Sequence, residues 1–229
     1  MKILLSWSSG KDSAWALHVL RREGAAIGGL LTSLNQTAGR VSMHGVREEV
    51  LQAQAAAAGL PLFTIPLPWP CTNEIYEARL QDAVTRAVSD GFTHVAFGDL
   101  FLADVRKYRE DRLAGTGLAP LFPLWGLPTP QLARDMIAGG LRARLSTVDP
   151  RVMPRELAGA SYDDALLGRL PAAVDPCGEN GEFHTCVTAG PMFSTTLAVS
   201  VGEIVEREGF VYADLLLPVR NAIREGRVT

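Results

Sequence analysis

The stretch Lys2-Ile-Leu-Leu-Ser-Trp-Ser-Ser-Gly-Lys-Asp-Ser-Ala-Trp-Ala-Leu-His-Val-Leu20 decides the fold. Ile3, Leu4 and Leu5 form an apolar run too short for a helix and suited to a buried strand. Ser8-Ser9-Gly10-Lys11-Asp12-Ser13 follows, small and polar, and then Trp15, Ala16, Val19 and Leu20 recur at helical spacing. A strand, a tight polar loop and a helix N-terminus bring unpaired backbone N–H groups and the positive end of a helix dipole to one point, which suits phosphate. Gly10 is expected to let the backbone turn sharply, Ser8, Ser9 and Ser13 to add hydroxyls, and Lys11 to add a mobile charge. A Walker A loop is excluded, because Leu5 stands where its first Gly belongs and Asp12 follows the Lys. The plainer alternative is a strand-to-helix turn capped by Asp12 or Ser13.

Working outward, 229 residues make one large domain or two small ones, at roughly 100–200 residues each. A hydrophobic content of 47% is ample for a core, and a net charge of −3 argues against a standing role on nucleic acid. Cys71, Cys177 and Cys186 are too sparse for a disulfide framework and hold no C-x-x-C pair for zinc, which fits a reducing, cytoplasmic setting. The apolar run after Lys2 stops too soon for a signal peptide. No run approaches the ~20 apolar residues of a membrane span.

Residues 25–31 read as a second strand ending at Thr32 and Ser33, 46–58 as a helix closed by Gly59, and 60–67 as a third strand. A long helix over 72–89 has Ile75, Leu80, Ala83, Val84 and Ala87 on its apolar side, and 93–97 is a fourth strand. This alternation predicts an α/β fold, a parallel sheet flanked by helices. Its ligands would lie at the carboxyl ends of the strands, gathering Ser8–Ser13, Thr32, Ser33, His44, Gly98 and Asp99 around one crevice. The Pro- and aromatic-rich run 119–130 reads as a packed crossover. Beyond it a helix (129–138), a strand (141–148), a short helix (162–167) and β-rich runs (195–206, 210–217) predict a smaller mixed α+β domain. The expected division is 1–124 and 125–229.

Two stretches could carry further chemistry. In Phe97-Gly98-Asp99, the carboxylate at a strand end could bind Mg²⁺ or orient a substrate, and the helix after it holds Arg106, Lys107 and Arg109. That helix could equally be a solvated face of weak ion pairs. Asp175-Pro-Cys-Gly-Glu-Asn-Gly-Glu-Phe-His-Thr185 concentrates carboxylates, an amide and a histidine between glycines. Glu179, Asn180, Glu182 and His184 there could form a ligand set, a nucleotide clamp or a base with its orienter. It lacks the ligand spacing of an EF-hand.

Ser8–Ser13 resembles the Ser-Gly-Gly-x-Asp-Ser pyrophosphate loop (PP-loop) of the N-type ATP pyrophosphatases, with Ser9 in place of the first Gly. With His44-Gly45-Val46, Phe97-Gly98-Asp99, Tyr108-Arg109-Glu110, Leu121–Trp125 and Gly178–Thr185 in the same order, residues 1–193 resemble the diphthine–ammonia ligase family. The resemblance implies a HUP-type, Rossmann-like ATP-binding domain and a family-specific C-terminal domain. It further implies ATP and Mg²⁺ as cofactors, cleavage of ATP to AMP and pyrophosphate, adenylation of a carboxylate, and its amidation by ammonia or an amine. The carboxylate would belong to a small molecule or a modified protein side chain; in eukaryotic and archaeal members it is diphthine on elongation factor 2. Bacterial relatives lack diphthamide, so the resemblance leaves the substrate open.

On this reading Lys11, Asp99, Glu182 and His184 are the catalytic candidates. Ser8, Ser9, Gly10, Lys11, Asp12, Ser13, Thr32, Ser33, Met43, His44, Gly98, Glu179 and Asn180 would bind nucleotide, and Asp12 and Asp99 the metal. No nucleic-acid or membrane partner is expected, and a homodimer is compatible with the sequence. The rivals are a PP-loop sulfur transferase working through Cys177 or Cys186, and a non-catalytic ATP sensor.

Overall fold

The computed structural model of the protein describes residues 1–218. The first strand, β1 (Ile3–Ser6), has parallel neighbours on both sides, and Ile3, Leu4 and Leu5 are buried. Helix α1 (Lys11–Arg22) opens directly after Gly10. Then come β2 (Ile27–Asn35), a short β3 (Arg40–Val41), α2 (Glu48–Ala58), β4 (Leu62–Leu67), α3 (Asn73–Ser89), β5 (His94–Ala96), α4 (Ala103–Leu113) and β6 (Ala119–Leu121). Gly59 ends α2 at φ 64°, a left-handed cap that glycine adopts without strain. The strands β4, β2, β1, β5 and β6 lie side by side, all parallel, with β3 antiparallel on the end of β2. The chain builds outward from β1 in both directions, so the switch point falls between β1 and β5. There the carboxyl ends of neighbouring strands part and leave a crevice.

The second half contributes α5 (Thr129–Ala138), β7 (Arg142–Val148), the short α6 (Asp164–Leu167), β8 (Phe183–Ala189), β9 (Ser200–Arg207) and β10 (Phe210–Leu216). These four strands form a separate antiparallel sheet in the order β8–β7–β10–β9. Residue 124 lies on the connection between β6 and α5, and 219–229, part of the expected second domain, lie outside the described residues. One hydrophobic cluster crosses that connection, joining Trp7 and Leu17 to Phe183, Cys186 and Met192.

The structure differs from expectation at four places. Ala119–Leu121, read as crossover, is a strand. As the outermost strand of its sheet, β6 accommodates Pro120, which has no N–H to donate. Strand β8 begins inside the polar loop, at Phe183, and β9 starts only at Ser200. On α3, Leu80, Val84 and Ala87 face inward as expected, but Ile75 is exposed and its neighbour Tyr76 takes its place at the crevice.

Candidate functional site

A crevice of about 450 Å³ opens at the carboxyl edge of the parallel sheet, lined from the first half by Ser8, Lys11, Asp12 and Ser13 and from the second by Glu179 and His184. Thr32, Ser33, Met43, His44, Gly98 and Asp99 also line it. Of the expected site residues, Ser9, Gly10, Asn180 and Glu182 do not.

The loop after β1 turns differently from expectation. Gly10 is extended (φ −89°, ψ 173°), and the left-handed residue is Ser9, at φ 71°. Gly10 is required for another reason: a Cβ there would come within 2.6 Å of the His44 ring. Ser9 is fully buried, its hydroxyl has no partner among the described residues, and its carbonyl accepts from Val187 N (2.9 Å) and Gln54 Nε2 (3.1 Å). Gln54 also donates to the Val187 carbonyl (2.7 Å) and accepts from the Trp7 indole (3.0 Å), tying the loop to β8. Ser8 and Ser13 hydroxyls lie 3.3 Å apart, and Ser13 donates to the Gly10 carbonyl (3.0 Å).

Lys11 is not a mobile charge. Its side chain is 2% exposed and lies under the rings of Tyr162 and Phe183 (5.7 and 5.4 Å). The ammonium donates to the Asp12 carboxylate (2.8 Å) and to the Cys177 carbonyl. Burial works against the ammonium, yet Asp12 beside it raises its pKa, so Lys11 stays charged. Its backbone N–H donates to Thr185 Oγ1 (3.0 Å). Lys11 therefore clamps both ends of the 175–185 loop against the first loop, a role its position in the sequence does not reveal.

In the second loop, Glu182 turns inward. Its carboxylate accepts from Asp175 N (3.0 Å), Asn180 N (3.0 Å) and Asn180 Nδ2 (2.9 Å), and Asp175 in turn accepts from the N–H groups of Cys177 and Glu179. Glu182 and Asn180 thus shape the loop from the side away from the crevice. Gly181, at φ 85°, permits the reversal. Glu179 faces the crevice, accepting from Leu100 N (2.7 Å). Burial, with Asp12 nearby, pushes its carboxyl up to about 7.

His184 stacks on His44 with ring centres 4.5 Å apart. Burial holds His184 down at about 4, and burial together with His184 holds His44 well below the usual range, so both rings are neutral at pH 7. His44 Nδ1 lies 3.0 Å from the Thr185 carbonyl, which assigns the proton to Nδ1 and the lone pair to Nε2. The turn carrying His44 is held at its two ends by Arg40 and Arg47, both paired with Asp214 of β10 (2.9 and 2.6 Å).

Gly98 is a packing residue, since a Cβ there would meet the backbone of Asp12 and Ser13 at 2.8–2.9 Å. Thr32 is likewise engaged, its buried hydroxyl donating to the Trp7 carbonyl at 2.7 Å. Asp99 is paired with Arg109 Nε (3.1 Å), whose guanidinium lies over the Phe97 ring (4.6 Å). Tyr76, Tyr108 and Arg112 also reach the crevice. The i, i+4 spacing of 76 and 80, and of 108 and 112, is the signal that could have found them.

Mg²⁺ usually takes one or two carboxylates and completes its shell with phosphate oxygens and water. Asp12 fits that requirement, since its Oδ1 is buried and unpartnered among the described residues, whereas Asp99 is committed to Arg109. No cluster of three or more His, Cys, Asp or Glu forms a closed metal cage among the described residues. Cys177 and Cys186 are buried thiols, pushed up to about 12, chiefly by desolvation, and neither is a ready nucleophile. Among the described residues no helix is long and apolar enough to cross a membrane.

Comparison with known proteins places these features in context. No family model matches the chain. The chain is similar to a diphthine–ammonia ligase of Schizosaccharomyces pombe, 25% identical over 227 residues, covering 90% of this chain and 37% of that protein. The chain thus spans little more than a third of its relative's length. A structure from Methanocaldococcus jannaschii, described as a predicted subunit of tRNA methyltransferase, is also similar. It covers 86% of this chain and all of that one at 15% identity, with a TM-score of 0.44.

Proposed function

We propose that the chain is an ATP-dependent, AMP-forming ligase that activates a carboxylate as its adenylate and passes it to ammonia or an amine. The observation that carries this reading is the opening of α1 onto the crevice at Asp12 and Ser13, beneath a loop from the second half. A helix N-terminus there offers N–H donors and a positive dipole to a polyphosphate. The similarity to a diphthine–ammonia ligase supports the same class.

The chain's own residues divide the work as follows. The N–H groups of Asp12 and Ser13 in the first turn of α1, with the Ser8 hydroxyl, receive the β- and γ-phosphates. Asp12 is the residue to hold Mg²⁺, whose positive charge would offset that of the phosphates. Lys11 acts indirectly, by fixing Cys177 and Thr185 so that Glu179 and His184 stand over the loop. A carboxyl near 7 is suited to taking a proton from an ammonium or amine at neutral pH, and Glu179 is the group so placed. The neutral His44–His184 pair leaves Nε2 of His44 as an acceptor, on a residue that lines the same crevice. Glu182 maintains the loop and takes no part in proton transfer. With both cysteines near the loop buried and protonated, sulfur transfer is the poorer fit.

Chromatography of the products of MgATP turnover tests the reading. AMP and pyrophosphate are expected, and ADP with phosphate would overturn it.

A further inference from the structure

One part of the crevice runs along α3. Tyr76, Leu80 and Val84 lie at i, i+4 and i+8 on α3, so they form one stripe of that helix, and the stripe lines open space. Opposite it, Leu31, Ile65 and Val95 of β2, β4 and β5 line the same space. Aliphatic walls on two sides normally close on each other in a folded domain, because interiors pack to the density of organic crystals. Here they close at one end only: Val84 is buried in one cluster with Val95, with Leu31 packed against it, while Tyr76 and Leu80, toward the N-terminus of α3, stay half-buried and line the open space.

The space has one cationic wall. On α4, Arg109 and Arg112 lie at i and i+3 and both line it. Arg109 is fixed rather than mobile. Its Nε donates to Asp99 and its plane rests on Phe97, which itself stacks on Phe122 with ring centres 5.6 Å apart. Nε is the only Arg109 nitrogen with a protein hydrogen-bond partner among the described residues, which leaves the Nη1 and Nη2 donors unmatched. A guanidinium oriented by a carboxylate at Nε and a ring on its face is prearranged to take a carboxylate at its remaining edge. Arg112 is less well suited, since it already pairs with Glu77.

We infer that the groove between α3 and the sheet is the acyl-substrate site, that Arg109 receives the carboxylate to be activated, and that the substrate is a monocarboxylic acid with an apolar body. This rests on the ligase reading and narrows it. A nucleotide phosphate is a poorer match for Arg109, because Asp99 beside it repels a polyanion more than a single carboxylate, and the aliphatic walls offer nothing to a sugar or phosphate. Glu179 accepts from Leu100 N (2.7 Å), the residue after Asp99, so the Asp99–Arg109 pair sits next to the second loop. An acid held at Arg109 lies beside the groups assigned to proton transfer.

The test is calorimetric titration of the intact protein, with Mg²⁺ and α,β-methylene-ATP present, using butyrate, hexanoate and octanoate, with octanol and octanamide as uncharged controls. Affinity should rise about 4-fold for each methylene that enters the groove, and octanoate should bind roughly 10- to 100-fold tighter than octanol or octanamide. Arg109→Met should abolish that preference and leave α,β-methylene-ATP affinity within about 3-fold. Arg109→Lys, which keeps the charge and loses the fork, should retain part of it. Leu80→Asn should flatten the chain-length dependence alone, providing a second variant should Arg109→Met fold poorly. Equal binding of acid and alcohol, no gain with chain length, or no acid binding to protein that binds the nucleotide would each overturn the inference. So would a loss of nucleotide affinity in Arg109→Met, because the guanidinium would then serve phosphate. Failure of the nucleotide itself to bind, with octanoate binding intact, would overturn the ligase reading and leave the acid site standing.

Discussion

Two polar loops meet at the crevice, and they use their polar atoms in opposite ways. In Ser8–Ser13, Ser8, Lys11, Asp12 and Ser13 line the crevice, with the Lys11 ammonium spent on Asp12 and Cys177 and Ser9 buried behind the loop. In Asp175–Thr185 the most eye-catching residues, Asp175, Asn180 and Glu182, bond to their own loop, and only Glu179, His184 and Thr185 among the polar side chains reach the crevice. Density of carboxylates in a sequence therefore does not distinguish a reactive group from a scaffold. What separates them is the count of N–H donors each oxygen already satisfies. Glu182 has three such donors, Glu179 one, and Asp12 Oδ1 none.

The largest effect expected of breaking this division is at the clamp. Removing one partner of a buried ion pair costs roughly 3–5 kcal/mol, and Asp12 keeps a quarter of its side chain exposed, so about 3 kcal/mol is the expected cost of Lys11→Ala. For a chain of this size that lowers Tm by roughly 6–12 °C. The sequence alone suggests the reverse, an intact fold with weakened phosphate binding, because it cannot show that the ammonium is turned under Tyr162. Glu182→Gln should behave alike but less severely, at about 2 kcal/mol, since it replaces one charged acceptor by an amide that donates into occupied N–H groups. Nucleotide affinity and turnover should fall together in both. Differential scanning calorimetry beside a pyrophosphate-release assay decides: an unchanged Tm with lost turnover in Glu182→Gln would return that carboxylate to the chemistry.

A smaller effect, and one specific to the crevice side of the second loop, is its response to acid. His184 titrates near 4 in the folded protein against 6.5 unfolded, so between those values the unfolded chain binds more protons and stability falls as pH falls. His44, also held low, adds to that loss. Glu179 acts in the opposite sense, because its folded value near 7 lies above the unfolded 4.5 and its contribution to stability is lost as pH rises between them. The two therefore partly cancel in the wild type. His184→Gln removes one side, so Tm of the variant should decline less than that of the wild type between pH 6.5 and 4, by up to one proton's worth of slope. Parallel Tm–pH curves for the two proteins would mean that His184 is not held neutral.

The parallel sheet, its helices and the crevice at its carboxyl edge were legible because each rests on local signals: apolar runs, a 3.6-residue period and a polar loop between strand and helix. Strand β6 was not, since Pro120 argues against a strand until one knows that the strand is an edge. Gln54 was invisible for a related reason. A lone amide in an Ala-rich helix carries no signal of its own, and its importance comes from Ser9 and Val187, neither near it in sequence. The same holds for Arg40 and Arg47, which fix His44 through Asp214, a residue far along the chain. Glu179 and His184 were expected at the site and line the crevice, but the hydrogen bonds that hold the two halves together there were outside the reach of sequence pattern.

Ser9 offers the smallest and sharpest test of the first loop. An L-residue with a Cβ pays about 1–2 kcal/mol to sit in the left-handed region, and Ser9 does so at φ 71° with a buried hydroxyl that has no partner among the described residues. Glycine is the residue the loop resembles at this position, and it relieves both costs. Against that, glycine has more freedom to lose on folding, roughly 0.5–1 kcal/mol, and it leaves a small void where the side chain was. The balance favours Ser9→Gly by about 1 kcal/mol, a rise in Tm of roughly 2–4 °C. Because Ser9 does not line the crevice, nucleotide affinity should stay within about 2-fold. A fall in Tm would mean that the Ser9 side chain fills space between α1 and β8 that matters more than its strain. A rise in Tm with a loss of nucleotide affinity would mean that the strained turn itself aims the N–H groups of the loop, and the division between holding and facing residues would have to be redrawn at Ser9.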